Sequence, residues 1–136
     1  MELNFSDSTL PILQFSDTYT IQEPTVMAIH HATSGERVEV RPLRERLSAE
    51  ITKTLYKSEH LEVIRVVLAA GKELPWHHVP AESTVQCIEG CLELVVGNET
   101  VHLRAGELIC LAGGEDHAFK AIQDCSVLRT LVLHVS

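Results

Sequence analysis

Short apolar runs rich in β-branched residues alternate with glycine-containing turns along most of the chain. Runs of this length, bounded by glycine, asparagine or aspartate, are typical of β-strands. The pattern predicts strands at Val26–His31, Glu50–Lys57, Leu61–Ala69, Thr84–Ile88, Cys91–Val96, Thr100–Leu103, Glu107–Leu111, His117–Ile122 and Ser126–Val135. Helix is expected only as a turn or two within Pro42–Ala49. The pattern therefore predicts an all-β protein, either a sandwich or a closed barrel.

Two of these strands, Leu61–Ala69 and Ser126–Val135, carry apolar residues at odd and even positions alike. Because side chains alternate between the two faces of a sheet, a strand with one solvated face would show polar residues at every second position. We therefore expect the outer face of these strands to be covered by the N-terminal segment or by a second subunit, which predicts a homodimer. The predicted core includes Ile64, Val66, Leu68, Val85, Leu94 and Leu111.

The chain has 136 residues, which leaves room for one domain large enough to fold around its own core. Residues 1–25 are rich in serine, threonine and aspartate, with brief apolar stretches at Leu10, Ile12, Leu13 and Phe15. We interpret residues 1–25 as an N-terminal arm that packs on the barrel or on a neighbour, and residues 26–136 as the barrel domain.

Charge and hydropathy exclude several classes of partner. The formal net charge of −8 argues against nucleic acid, whose phosphates require a basic face. No apolar run approaches the roughly 20 residues that a membrane-spanning helix needs. The first residues lack the basic and apolar regions of a secretory signal, so we expect a cytoplasmic protein that does not bind membranes.

The four cysteines, Cys87, Cys91, Cys110 and Cys125, show no paired CxxC spacing. Without a secretory context, buried thiols within strands are the favoured interpretation. The alternative is that Cys87 and Cys91 approach each other across the turn at Gly90.

Two segments carry the candidate chemistry. The segment from Gly71 to Gly90 resembles the first motif of the cupin superfamily, in which histidines and a glutamate stand at set distances between two glycines. The segment from Gly106 to Ala121 resembles the second cupin motif, which contains one further histidine. The 15 residues between Gly90 and Gly106 have the length of the hairpin that joins the two motifs in this superfamily. The resemblance implies a double-stranded β-helix, or jelly-roll barrel, with a pocket inside it.

The resemblance also implies a divalent metal held by three histidines and one glutamate. Carried over position by position, the first histidine falls on His77 and the histidine of the second motif on His117. The other two ligand positions fall on Val79 and Ser83. Two of the four expected ligand positions therefore hold histidine in this chain.

Neighbouring residues are candidates for the missing ligands. Glu82 precedes the glutamate position by one residue and follows the Pro80-Ala81 turn, where it is free of strand alternation. His78 has the opposite parity to His77 and would need a β-bulge to point inward, which makes it the weaker candidate. Two imidazoles and one carboxylate would suit iron, manganese, zinc or nickel. The predicted pocket lining is Trp76, Val79, Ser83 and Gln86.

These residues support two functional hypotheses. The first is a cupin that binds a divalent metal through His77 and His117 and acts as a dioxygenase, isomerase or decarboxylase on a small organic compound. The alternative is a ligand-binding or sensor barrel without catalysis, in which the metal site is incomplete.

Overall fold

The structure is a computed structural model that describes residues 30–77 and 79–133, with only the backbone described at Trp76 and His77. Its strands are β1 (Lys53–Lys57), β2 (Leu61–Leu68), β3 (Glu73–His77), β4 (Ser83–Glu89), β5 (Cys91–Val96), β6 (Glu99–Arg104), β7 (Leu108–Leu111), β8 (His117–Ala121) and β9 (Cys125–Val132). A 3₁₀ helix spans Arg44–Ala49, within the predicted helical segment. In the part of the chain that is described, no helix has the length and apolar character needed to span a bilayer. The predicted arm, most of the predicted strand Val26–His31, and His78 lie outside the described residues.

The strands form two antiparallel sheets. One sheet has the order β3-β8-β5-β6 and the other the order β1-β2-β9-β4-β7. Side chains from both sheets meet in a single hydrophobic cluster, so the sheets pack face to face as in a jelly-roll barrel. The all-β, double-stranded β-helix prediction is confirmed.

The core follows the strand alternation that the sequence shows. Burial in β2 falls mainly on even positions and in β9 on odd positions, and the register of the two strands brings these sets together on the inner face. The six residues predicted to be in the core are all buried: Ile64, Val66, Leu68, Val85, Leu94 and Leu111. Each such side chain contributes about 1.5–3 kcal/mol through the hydrophobic effect.

The strand β3 was missed by the sequence analysis because Pro75 interrupts its apolar pattern. A proline has no N–H to donate and is tolerated mainly on edge strands. Among the strands that the structure describes, β3 lies at the edge of its sheet and pairs with β8.

The outer face of β2 and β9 is covered in part by residues 39–44. The Arg65 guanidinium, 4% exposed, donates to the carbonyl oxygens of Arg41 at 2.9 Å and Glu39 at 3.3 Å. Residues 39–44 therefore supply part of the cover that the sequence predicts to come from the N-terminal arm or a second subunit. The homodimer stays a prediction.

The Glu89 carboxylate holds the far end of the same segment. It accepts hydrogen bonds from the backbone N–H groups of Leu43 at 2.8 Å and Arg44 at 3.0 Å, and from the Ser126 hydroxyl at 2.7 Å. Burial acts to raise the pKa of Glu89, but these hydrogen bonds outweigh it and hold the pKa below its ordinary value. Residues 39–44 are therefore held against the barrel at both ends, by hydrogen bonds from Arg65 and to Glu89.

Three of the four cysteines are buried, as expected, and Cys110 is exposed. All four are free thiols. Burial, with Cys91 close by, raises the pKa of Cys87 to about 11, and burial raises the pKa of Cys125 to about 12. The thiolate, which is the reactive form, is therefore scarce at both positions near neutral pH.

The turn at Gly90 yields a stability prediction. Gly90 has φ +83°, and a Cβ there would collide with the Asp124 carbonyl oxygen and lie 2.8 Å from Cys125 Cα. Gly90→Ala should lower the free energy of unfolding by about 3 kcal/mol or more, from backbone strain together with overpacking. The matched control is Gly97→Ala, because Gly97 also has positive φ (+59°) but no atom within 4 Å of a Cβ. Gly97→Ala should lower the free energy of unfolding by only about 1–2 kcal/mol, because the backbone conformation alone is strained. Equal losses in urea unfolding would contradict the packing described for Gly90.

Thiol reactivity tests the burial of the cysteines. At pH 8, Ellman's reagent should modify Cys110 rapidly and the other thiols only after unfolding, because they are buried and, at Cys87 and Cys125, protonated. The substitution Cys110→Ser should abolish the fast phase. A fast phase that survives this substitution would show that a second thiol is accessible.

Candidate functional site

Cross-strand register arranges the inward side chains in rows. One row of the five-stranded sheet consists of Glu62, Leu131, Ser83 and Leu111. The next row contains Ile64, Arg129 and Val85. Further along, the rows hold only apolar residues and thiols: Val66, Val127 and Cys87, then Leu68 and Cys125. Polar side chains therefore enter the barrel interior at one end of this sheet.

The facing sheet adds a histidine at the same end. His117 begins β8 and is completely buried. Its backbone pairs with that of His77 on one side and Val96 on the other. We call the end of the barrel formed by Glu62, Ser83, His117 and Arg129 the polar end. All four of these side chains are at least 94% buried.

Hydrogen bonds define the protonation of His117. Its Nδ1 lies 3.0 Å from the Glu115 carbonyl oxygen, which can only accept. Its Nε2 lies 3.1 Å from Nη2 of Arg129, which can only donate. Nδ1 therefore carries the proton and Nε2 is an unprotonated acceptor, so His117 is neutral.

Arg129 is 4% exposed on the inner face of β9, and its guanidinium packs on an aromatic ring. Its Cζ is 5.2 Å from the centroid of Phe119, a distance at which a cation is attracted to the ring face. The Phe119 and His117 rings are stacked, with centroids 5.4 Å apart and an interplanar angle of 23°. Arg129 was not among the predicted site residues. Its signal in the sequence is the alternation Val127-x-Arg129-x-Leu131, which places a charge on the inner face.

Two buried oxygens at the polar end lack hydrogen-bond partners within residues 30–77 and 79–133. They are Oγ of Ser83 and Oε1 of Glu62. The other carboxylate oxygen of Glu62 accepts from the Thr54 hydroxyl at 2.8 Å. A buried polar group without a partner costs about 1–3 kcal/mol. Their presence at one end of an otherwise apolar interior indicates a place where a ligand would supply the missing bonds.

Two loops close the polar end. Gly114 donates its backbone N–H to the Val79 carbonyl oxygen at 2.7 Å, which joins the loop before β4 to the loop before β8. At Gly113 a Cβ would lie 2.5 Å from the Pro80 carbonyl oxygen and 2.9 Å from Ala81 Cα. The two cupin-like segments therefore meet backbone to backbone at the site.

The other residues singled out from the sequence lie in different surroundings. Val79 is half-buried and packs on the core. Glu82 is exposed and immediately precedes Ser83, whose side chain faces inward. Gln86 pairs with Leu128 and Leu108, on the outer face of β4. The side chains of Trp76, His77 and His78 are outside the described part of the structure.

A family model described as a cupin domain matches residues 64–134. The chain belongs to the cupin family. The polar end thus lies where the two cupin motifs meet, between the loops that join β3 to β4 and β7 to β8.

Solved structures show the same fold at low sequence identity. A conserved protein of unknown function from Streptococcus pyogenes is 22% identical, with TM-score 0.63, over 81% of this chain and 100% of that chain. A cupin superfamily protein from Desulfitobacterium hafniense is 11% identical, with TM-score 0.61, over 73% and 100%. KdgF from Halomonas sp. is 16% identical, with TM-score 0.57, over 62% and 79%. A search of curated proteins gives no match.

The described residues do not fit the divalent metal that the cupin resemblance implies. Among the side chains described, no three histidine, cysteine, aspartate or glutamate residues converge to hold an ion. The Nε2 atom of His117, which would be the ligating nitrogen, accepts a hydrogen bond from a guanidinium instead. The family's glutamate position holds Ser83, whose neutral hydroxyl is a poor ligand beside a carboxylate.

The tautomer of His117 can be measured directly. In ¹⁵N NMR spectra we expect His117 to be the neutral tautomer with the proton on Nδ1, because Glu115 and Arg129 fix both nitrogens. Exposed His102, whose Nε2 lies 3.2 Å from the Glu93 carboxylate, serves as the internal reference for an imidazole with its proton on Nε2. A protonated Nε2 at neutral pH would contradict the hydrogen bond from Arg129.

Proposed function

We propose that this cupin is a small-molecule-binding barrel that holds its ligand at the polar end and requires no metal. The observation that carries the proposal is the hydrogen bond from the Arg129 guanidinium to Nε2 of His117. It corresponds to the second hypothesis from the sequence, a ligand-binding barrel with an incomplete metal site.

Electrostatics oppose a metal at this nitrogen. A divalent ion bound to Nε2 would replace the guanidinium there and remain close to its positive charge. Two unit charges about 4 Å apart repel by roughly 4 kcal/mol at an effective dielectric constant of about 20, and a divalent ion doubles the charge on one side. Because no three described histidine, cysteine, aspartate or glutamate side chains converge to hold an ion, coordination would not offset that repulsion.

The competing function is a metal held by His77 and His117, with the dioxygenase, isomerase or decarboxylase chemistry that the resemblance implies. Two observations favour it: the backbone register pairs these histidines, and the Nδ1–H of His117 donates to a carbonyl, as in many metal-binding histidines. Arg129 would have to leave Nε2 before such a site could form.

Metal titration separates the two functions. The wild-type protein, freed of metal with a chelator, should bind no zinc, manganese, nickel or ferrous iron in calorimetry at micromolar concentration. Arg129→Met should gain affinity for zinc, because it removes the competing cation and exposes Nε2. The matched control is Arg104→Met, which removes an exposed arginine and should gain none.

One result of the metal titration would contradict the proposal. One equivalent of metal bound by the wild-type protein, and lost in the double variant His77→Ala with His117→Ala, would establish the metal site and overturn the proposal.

A further inference from the structure

We propose that residues 10–15 of this chain dock in an apolar groove on the outer face of the five-stranded sheet, beside β1. The groove has a volume of about 470 Å³. Residues 32–40 form one of its walls, and the outer face of β1 and β2 forms the other. Residues 10–15 lie outside the described residues. Their docking is inferred from the groove, from the charges on the two sheets and from the path of the chain.

The described residues that line the groove are mainly apolar: Val38, Val40, Leu55, Tyr56, Leu61 and Val63. Glu36 is the single charged residue among them, and its carboxylate already has local partners. It accepts from the Thr33 N–H at 3.0 Å and lies 2.8 Å from Nε2 of His30. Pockets for polar small molecules usually contain a few polar groups that converge on the ligand. This lining is better suited to an uncharged, apolar stretch of chain.

The two outer faces of the barrel differ in charge. On the four-stranded sheet, a cross-strand row alternates acidic residues with lysine or histidine, as expected for a face in water: Glu73, Lys120, Glu93 and His102. On the five-stranded sheet, the row that begins at the groove has no charged residue: Tyr56, Val63, Thr130, Thr84 and Cys110. The uncharged face is therefore suited to contact with protein, and the groove lies at its β1 end.

The described chain begins beside the groove. The Ala32 N–H donates to the Leu55 carbonyl oxygen at 2.7 Å, which places the start of the described chain along β1. Ala32 and Leu55 both line the groove. Residues 16–29 can span up to about 50 Å when extended. Residues 10–15 can therefore reach the groove from this point.

The chemistry of residues 10–15 matches that of the groove. No residue of this segment is charged, and most are apolar: Leu10, Ile12, Leu13 and Phe15. Asp7 and Asp17 flank the segment, and residues 1–29 contain no lysine or arginine. Arg37 and Lys57 each follow a residue that lines the groove, so the charge beside the groove is opposite to that of the flanking aspartates. Apolar contact would hold the segment, and these charges would favour its approach.

A second copy of the chain fits the groove less well. A two-fold dimer needs a surface that complements itself. Residues 32–40 form a wall beside the sheet and make this surface concave. Two concave surfaces placed face to face would leave the groove unfilled, and its lining would lose the contacts of close packing. An extended stretch of chain fills such a groove.

Disulfide cross-linking of the full chain tests the docking. The background is Cys110→Ser, which removes the exposed thiol. Val38→Cys is combined in turn with Leu10→Cys, Ile12→Cys, Leu13→Cys or Phe15→Cys, and oxidised glutathione is the oxidant. We expect at least one pair to form an intramolecular disulfide about tenfold faster than its matched pair with His102→Cys. His102 is exposed on the charged outer face, and an undocked segment would meet both positions alike.

Thermal unfolding gives a second measure. The variant with serine substitutions at the four apolar positions, Leu10→Ser, Ile12→Ser, Leu13→Ser and Phe15→Ser, should melt about 5 °C or more below the wild type, because it loses apolar contacts in the groove. The matched control combines Thr18→Ser, Thr20→Ser and Gln22→Ser, which change polar residues outside the segment. The control should melt as the wild type does.

Three results would overturn the inference. Equal cross-linking rates at residues 38 and 102 for all four positions would show that the segment does not dock in the groove. Disulfides that join two chains, seen as dimers in non-reducing gels, would show that the groove takes a segment of a second copy. An unchanged melting temperature in the variant with four serine substitutions would show that the segment makes no stabilising contact.

Discussion

A positive charge lies inside this barrel at Arg129, and the surrounding polar end is organised around it. The guanidinium donates to His117 and packs on Phe119, which itself stacks on the His117 ring. The Glu115 carbonyl oxygen in turn fixes the proton of His117 on Nδ1. Each contact depends on the next, so replacing any one of these side chains would alter the protonation or position of the others.

The fold supplies the rigidity that this arrangement needs. Arg129 and Ser83 belong to adjacent strands, and His117 to the facing sheet, so their relative positions follow from sheet register and not from loop conformation. The loops above them meet at Gly113 and Gly114, where a larger residue would not fit at Gly113. The outer face is held by a separate set of contacts, in which Glu89 and Arg65 bind residues 39–44. The site and the outer cover are thus held by different sets of side chains.

Much of the fold could be predicted because strand alternation and glycine turns are local signals. Strand β5 was predicted with its observed ends, and the six core residues were all found on the inner face. Strand β3 was not predicted because it contains Pro75, and the sequence does not show which strand lies at an edge, where proline is tolerated. The resemblance to the cupin motifs implied His77 and His117, whose backbones the structure pairs. Arg129 was missed because a charge in an apolar run is usually outward; its alternation with Val127 and Leu131 was the available signal, and the register of β9 confirms that it points inward.

The most direct test of this account is a crystal structure of the wild-type protein grown with excess zinc, with anomalous data collected above the zinc edge. The account predicts the hydrogen bond between Nη2 of Arg129 and Nε2 of His117, near the 3.1 Å described here, and no anomalous peak beside the imidazole. An anomalous peak about 2.1 Å from Nε2 of His117, with Arg129 displaced, would contradict it.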